Sequence, residues 1–328
     1  MDDYAAGMAH SPRNELLAGK YELVAPGGEG GMATVWRGLT HGEAGFRRKV
    51  AIKRVLQQHS NDQEFAAMFV QEAHVVSELN HPNIVQIHDF GRDQWGNYFI
   101  VMEWVEGLGF DAYLHSFTSR GEHAPWHLVA AVCIEALRAL TVAHERLDDL
   151  GRPAPVIHRD VNPMNILLST HGVVKLADFG LARAMDRPGS TNPGIVKGKV
   201  AYVAPEILGG KYKASARTDL YSLGVVLWEG LTGQRLFGGE GTDVEIALRA
   251  LKAEIPPVNS IRSDIPDAIC DLAHVALARN PEGRFQNARA MVEALSSVLR
   301  RHPEPSDGNA LAKSVELARR HIREDAVG

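Results

Sequence analysis

The hydrophobic pattern of this chain changes period near Gly107, and that change constrains its architecture more than any other feature. Between Tyr21 and Val105 the apolar residues fall in short β-rich runs, Tyr21 to Ala25, Thr34 to Gly38, Lys49 to Val55, Val85 to Phe90 and Tyr98 to Trp104. One helical segment interrupts them, about Asn61 to Leu79, with Phe65, Phe69, Val76 and Leu79 at helical spacing and Asn80-His81-Pro82-Asn83 closing it. Beyond Gly107 long helical patterns take over, at about Trp126 to Leu147, Ser215 to Thr232, Asp243 to Ala253, Pro266 to Ala278 and Ala288 to Arg300. Segregated strands and helices predict an α+β chain of two lobes, a small twisted antiparallel sheet with one main helix and a larger helical lobe. At 328 residues the chain is long enough for both cores.

The ends are weakly patterned. Residues 1–19 carry many small Ala and Gly residues and read as a flexible leader, with folding beginning near Lys20. The tail, 303–328, opens with Pro303 and Pro305 and then offers a helical pattern over Ala310 to Ile322, with Leu311, Val315, Leu317 and Ile322 apolar. The main domain therefore spans 20–302, with an N-lobe of about 20–103, a linker at 103–107 and a C-lobe of 108–302.

Charge and cysteine content exclude several classes. The balance of 35 basic against 40 acidic side chains, net -5, leaves no electrostatic footprint for nucleic acid or an anionic membrane. Cys133 and Cys270 stand apart without metal-ligand spacing, which argues against a disulfide framework and a zinc site. Met1 to Arg13 has early aspartates and no apolar core, so it is not a secretory signal, and a cytoplasmic location is expected. The apolar stretches Leu128 to Leu140 and Leu220 to Leu231 carry interior charges and are too short to span a bilayer, so both are expected to be buried helices and no membrane segment is expected.

Chemistry-bearing motifs follow one another along the chain. Gly28-Glu29-Gly30-Gly31-Met32-Ala33-Thr34-Val35 is a glycine-rich turn between strands, whose amides can approach phosphates closely. Val50-Ala51-Ile52-Lys53 sets a lysine on a strand, a point charge suited to nucleotide phosphates. Glu72, on the only helix of this lobe, is the candidate carboxylate to hold it. The strongest signal is His158-Arg159-Asp160-Val161-Asn162-Pro163-Met164-Asn165, followed after a short hairpin by Asp178-Phe179-Gly180. Carboxylate and amide oxygens suit a hard cation, and an ionised Asp suits work beside a hydroxyl.

From Tyr21 to Arg300 these motifs resemble, in order, the eukaryotic-type serine/threonine protein kinases that also occur in bacteria. The resemblance implies a bilobal protein kinase fold and transfer of the γ-phosphoryl group of ATP to Ser or Thr hydroxyls of proteins. It makes Asp160 the catalytic base and Lys53, paired by Glu72, the phosphate ligand, and it gives Asn165 and Asp178 the magnesium, with manganese as an alternative. Gly28, Glu29, Gly30, Gly31, Val35, Ala51 and Leu167 would line the nucleotide. Met102 would guard the back pocket, while backbone groups of Glu103 and Val105 would bind adenine. Ala204-Pro205-Glu206 resembles the end of the activation segment, with Arg284 as structural partner of Glu206, and Asp219-Leu220-Tyr221-Ser222-Leu223-Gly224 resembles the buried helix that anchors the catalytic loop. Arg159 resembles the arginine that pairs with an activation-segment phosphate, for which Ser190 and Thr191 are the acceptors, Thr191 slightly favoured; self-association for trans-autophosphorylation would follow.

Four positions depart from the family pattern. Ala33 replaces the third glycine, and Gly27 stands where an aliphatic residue is usual, which predicts a flexible loop over Pro26 to Gly31. Asn162 occupies the place of a lysine that neutralises the transferred phosphoryl group, and Gly198-Lys199 replaces a Gly-Thr pair. Two arrangements answer the last two. Either Lys199 has taken over the cation beside Asp160, with Asn162 in the neutral hydrogen-bonding role, or Lys199 points to solvent and Asn162 only caps the loop. Asn162 and Gly27 also keep a pseudokinase scaffold open as an alternative. Retention of Lys53, Glu72, Asp160, Asn165 and Asp178 favours the enzyme, and the full activation segment disfavours a small-molecule phosphotransferase.

Overall fold

A computed structural model of the chain describes residues 16–29, 33–56, 63–179, 199–210, 213–238, 242–252 and 254–326. The chain divides into two compact units, one made of residues up to Ser77 together with Gln86–Trp104, the other of Glu78–Val85 and the chain from Val105 onward.

The first unit is a six-stranded antiparallel sheet of β1 (Leu16–Leu17), β2 (Tyr21–Glu29), β3 (Ala33–His41), β4 (Arg47–Val55), β5 (Ile87–Arg92) and β6 (Tyr98–Glu103), in the order β1-β2-β3-β4-β6-β5. Alternation along β4 buries Val50 and Ile52 in a core with Leu17, Tyr21, Leu23, Phe99 and Val101, and turns Ala51 and Lys53 to the other face. The helix α1 (Gln63–Ser77) joins the sheet through Phe69, whose ring centroid lies 6.1 Å from Phe90 and 6.3 Å from Tyr98. Among the described residues Leu16 and Leu17, ahead of the expected start near Lys20, already pair with Glu22 and Tyr21, and Leu17, 1% exposed, completes the core beneath Tyr21. Expected as a flexible loop, Pro26 to Glu29 instead continues the β2 ladder as far as the pair Glu29 and Thr34, with Gly27 as the unpaired residue of a bulge. Gly30 and Gly31 lie outside the described residues.

Residues 78–85, expected within the first lobe, belong to the second unit because their backbone pairs there. Leu176 N donates to Asn83 O at 2.8 Å, and Val85 N donates to Leu176 O at 3.0 Å.

The second unit holds a small sheet of β7 (Gly107–Gly109), β8 (Ile166–Ser169) and β9 (Val174–Leu176), and helices α2 (Phe110–Thr118), α3 (Trp126–His144), α4 (Pro205–Leu208), α5 (Ala216–Thr232), α6 (Asp243–Lys252), α7 (Asp267–Ala276), α8 (Ala288–Leu299) and α9 (Gly308–Asp325). The helix α3 is longer than the apolar stretch that marked it; length and composition alone would let it cross a bilayer, yet 72% of its most apolar window is buried inside the protein. The helix α5 starts on a capping box between Ser215 and Thr218 and ends on left-handed Gly233, the chemistry that fixes both of its ends.

The tail helix α9 is longer than the expected Ala310 to Ile322 and is docked. Leu311, Val315 and Ala318 are buried, the Ser314 and Tyr113 hydroxyls are 2.7 Å apart, and Arg120 at the end of α2 donates to Glu324 and Asp325. Burial pushes the Tyr113 hydroxyl up to about 12. At the other end of α9, Gly172 in the β8–β9 turn has φ +75° and runs so close to the tail that a Cβ there would lie 1.7 Å from Gly308 O.

Candidate active site

In the second unit the chain from His158 to Asn165 is shaped by a buried carboxylate. Asp219, in the first turn of α5 where a helix favours an anion, is 0% exposed. Its Oδ2 accepts from His158 N and its Oδ1 from Arg159 N, each at 2.8 Å, and His144 Nε2 donates to Oδ2 at 2.8 Å. Those bonds hold Arg159 at φ 67°, a left-handed backbone that costs a non-glycine residue about 1–3 kcal/mol.

His158 is fully buried and uses both ring nitrogens. Nδ1 accepts from Asp160 N at 3.2 Å and Nε2 donates to Ala177 O at 2.8 Å, so the ring is neutral with its proton on Nε2. Burial pushes its pKa below the ordinary 6.5, although Asp219 and Asp160 pull the other way. The ring also meets Phe179 at a centroid distance of 4.5 Å, tying the segment before Gly180 to the loop. Ala177 N donates to Asn165 O at 2.8 Å, which keeps Asp178, itself at φ 61°, beside Asn165.

Asp160 is the point on which the loop converges. Its Oδ1 accepts from Asn162 Nδ2 at 2.8 Å, and its Oδ2 accepts from Asn165 Nδ2 at 2.9 Å and from Lys199 Nζ at 2.6 Å. Asn162 serves in both ways the sequence left open, since its Oδ1 also accepts from Met164 N and caps the short 3-10 turn Pro163–Asn165. Lys199 does not point away to solvent. It opens the 3-10 turn Lys199–Tyr202, which is pinned to α5 by Ser222 Oγ donating to Tyr202 O and by Tyr202 Oη donating to Glu229 Oε2 at 2.7 Å. Burial pushes the Glu229 carboxyl up, and Arg235 and the Leu236 amide oppose it.

Arg284 grips Glu206 with both ends of its guanidinium, each 2.7 Å from a carboxylate oxygen. Both residues are buried, and Arg284 also caps the carbonyls of Ala278, Arg217 and Arg279.

The family profile described as the protein kinase domain matches residues 21–296. The chain belongs to the protein kinase family. Its relatives among characterised proteins include the tyrosine-protein kinase MasK of Myxococcus xanthus, 39% identical over 87% of this chain and 44% of that protein. The serine/threonine-protein kinase PknA of Mycobacterium tuberculosis is 35% identical over 90% of this chain and 66% of its own length. This kinase chain thus spans between 39% and 66% of the length of such curated relatives. A crystal structure of the PknI kinase domain of M. tuberculosis superposes with a TM-score of 0.64 at 27% identity, covering 87% of this chain and 97% of that one.

The remaining kinase positions lie in several places. In the first unit Val35 pairs with Lys53, and Ala51 with Met102, across neighbouring strands. Gly28 pairs with Val35, and Glu103 ends β6 with its amide donating to Gln86 O at 2.9 Å. Val105 and Leu167 belong to the second unit, Leu167 on β8 paired with Gly109. The side chains of Glu29 and Glu72, and all of Gly30, Gly31, Gly180, Ser190, Thr191 and Gly198, lie outside the described residues. His144 and the cluster of Tyr202, Glu229 and Arg235 carry no motif in the sequence. A charge at 229 inside an apolar helical run was the available signal, since a buried carboxylate needs partners.

Proposed function

We propose that this kinase domain transfers the γ-phosphoryl group of Mg-ATP to serine and threonine hydroxyls of proteins. The observation that carries this reading is the convergence of Asn162, Asn165 and Lys199 on the Asp160 carboxylate. Asp160 orients the acceptor hydroxyl and takes its proton, and Lys199 offers a positive charge where negative charge develops on the transferred group. Lys199 thereby replaces the lysine that the family places at Asn162. The asparagine amide is too short and neutral for that task, and here it fixes the carboxylate instead.

Asn165 spends its amide nitrogen on Asp160 O and Oδ2, at 2.7 and 2.9 Å, so its carbonyl oxygen is the atom suited to a hard cation. Together with the Asp178 carboxylate this donor set fits magnesium, or manganese, which when bound neutralises the phosphates. Lys53, held by Glu72, takes the α- and β-phosphates, with Gly28, Glu29, Gly30, Gly31, Val35, Ala51, Met102, Glu103, Val105 and Leu167 about the nucleotide. Serine/threonine preference rests on relatives such as PknA, whereas MasK bears a tyrosine kinase name. Autophosphorylation at Thr191 or Ser190, read by Arg159 and carried out between two copies, completes the proposal, and a cytoplasmic location is part of it.

Radiolabel transfer from Mg-ATP to the chain and to a generic protein substrate, followed by phosphoamino-acid analysis, tests it. Labelled phosphoserine and phosphothreonine, absent in Asp160→Asn, are expected. Label confined to phosphotyrosine would overturn the acceptor class, and no label under any divalent cation would favour a scaffold.

A further inference from the structure

Away from the catalytic loop, one group of side chains has the composition of a metal centre. His127 is the second residue of α3, His302 follows the C-terminal end of α8, and Glu304 lies just beyond it on the way to α9. One ligand atom from each of the three lies within 4.8 Å of the others, and His127 Nε2 is 3.5 Å from Glu304 Oε2. Around a tetrahedral zinc with bonds of about 2.0–2.2 Å, neighbouring ligand atoms sit roughly 3.3–3.6 Å apart. The histidine and carboxylate are already at that separation, and the third ligand atom lies within 4.8 Å of both.

A second observation points the same way. His302 Nε2 is shut off from solvent and has no hydrogen-bond partner among the described residues. Buried polar nitrogens are normally satisfied, so an orphan of this kind calls for a ligand. The ring is held in place by Trp126 and His127, at centroid distances of 4.5 and 4.8 Å. Pro303 restricts the backbone between His302 and Glu304. A plain ion pair between His127 and Glu304 would account for their approach but would leave the His302 nitrogen unexplained.

We propose that His127, His302 and Glu304 form a zinc site that fastens the segment between α8 and α9 to the first turn of α3. Two imidazoles and a carboxylate are a common three-ligand set for zinc, with water completing four. The cysteine spacing argued against zinc, and the ligands proposed instead are histidines that lie far apart in the sequence and are brought together by the fold.

Zinc binding to the full chain, free of any affinity tag and in excess magnesium, tests this by competition with a chromophoric zinc chelator. One zinc per chain is expected. Glu304→Gln changes a side chain that is 68% exposed, and His302→Phe keeps a ring against Trp126 while removing both nitrogens. Each is expected to weaken zinc binding roughly tenfold or more, and the double variant to lose the site. Zinc should raise Tm of the parent by several degrees, about that expected for a native-state ligand in excess, and leave the double variant unmoved. Unchanged stoichiometry and affinity in Glu304→Gln, or in the double variant, would overturn the assignment, as would the absence of any bound zinc in the parent.

Discussion

Lys199 Nζ lies 2.6 Å from Asp160 Oδ2, the same carboxylate oxygen that accepts from Asn165. A charge placed for the transition state should appear in turnover more than in substrate binding. Lys199→Ala is expected to lower kcat by about a hundredfold with a much smaller change in KM, and Asn162→Lys added to it should recover part of the loss. Steady-state kinetics on a peptide substrate decides the matter. Unchanged turnover in Lys199→Ala, or no recovery in the double variant, would mean that the contact is structural.

Glu206 and Arg284 form a buried bidentate pair. Removing one partner strands the other charge in the interior. Arg284→Ala should cost about 3–5 kcal/mol, read as a lower urea midpoint, whereas Glu206→Leu combined with Arg284→Met should recover much of that. Equal losses in the single and double variants would show that the backbone carbonyls held by Arg284 matter more than its carboxylate partner.

Much of the fold could be read from the sequence because hydrophobic period is a local property. The strands of the first unit and the long helices of the second were marked by alternation in β4 and by the apolar stripes of α3 and α5. Short elements were not. Leu16–Leu17 is a strand only because Tyr21 and Glu22 pair with it, and α2 is short enough that Phe110, Tyr113 and Phe117 at helical spacing do not mark it in the sequence. The juxtaposition of Asp160 and Lys199 was readable as one of two arrangements, since two departures from the family pattern offset each other. The docking of α9 was not readable, because the Tyr113 and Ser314 contact joins residues remote in sequence. The gathering of His127, His302 and Glu304 fails to show in the sequence for the same reason.

The buried, neutral His158 gives a pH dependence with a definite sign. Its folded pKa is depressed below 6.5, so as pH falls the unfolded chain takes up the proton first and stability is lost. His127 and His81, also depressed mainly by burial, act in the same direction. Thermal unfolding in the presence of a chelator should therefore show Tm falling between about pH 7 and pH 5, with a shallower fall in His158→Gln. A Tm that rises on acidification over this window would contradict the assigned neutral ring.

The seat of α9 rests on Val315, which is 0% exposed. Val315→Asp puts an unpaired charge there and should release the helix, so that tryptic cleavage at Arg319, Arg320 and Arg323 speeds up by about tenfold or more, the factor that 1.4 kcal/mol of local opening supplies. Leu317→Ala, at a position 38% exposed, serves as the control and should leave the rate unchanged.

Gly172 and Gly308 touch, but they do not share the same latitude for change. A Cβ at 308 would sit 3.5 Å from Gly172 O, an ordinary contact, while one at 172 would collide with the start of α9. In a lineage that keeps the tail seated, position 308 is open to drift and position 172 is closed. Among descendants of one ancestor, loss of the glycine at 172 would therefore mark the chains in which this helix has moved elsewhere or been given up.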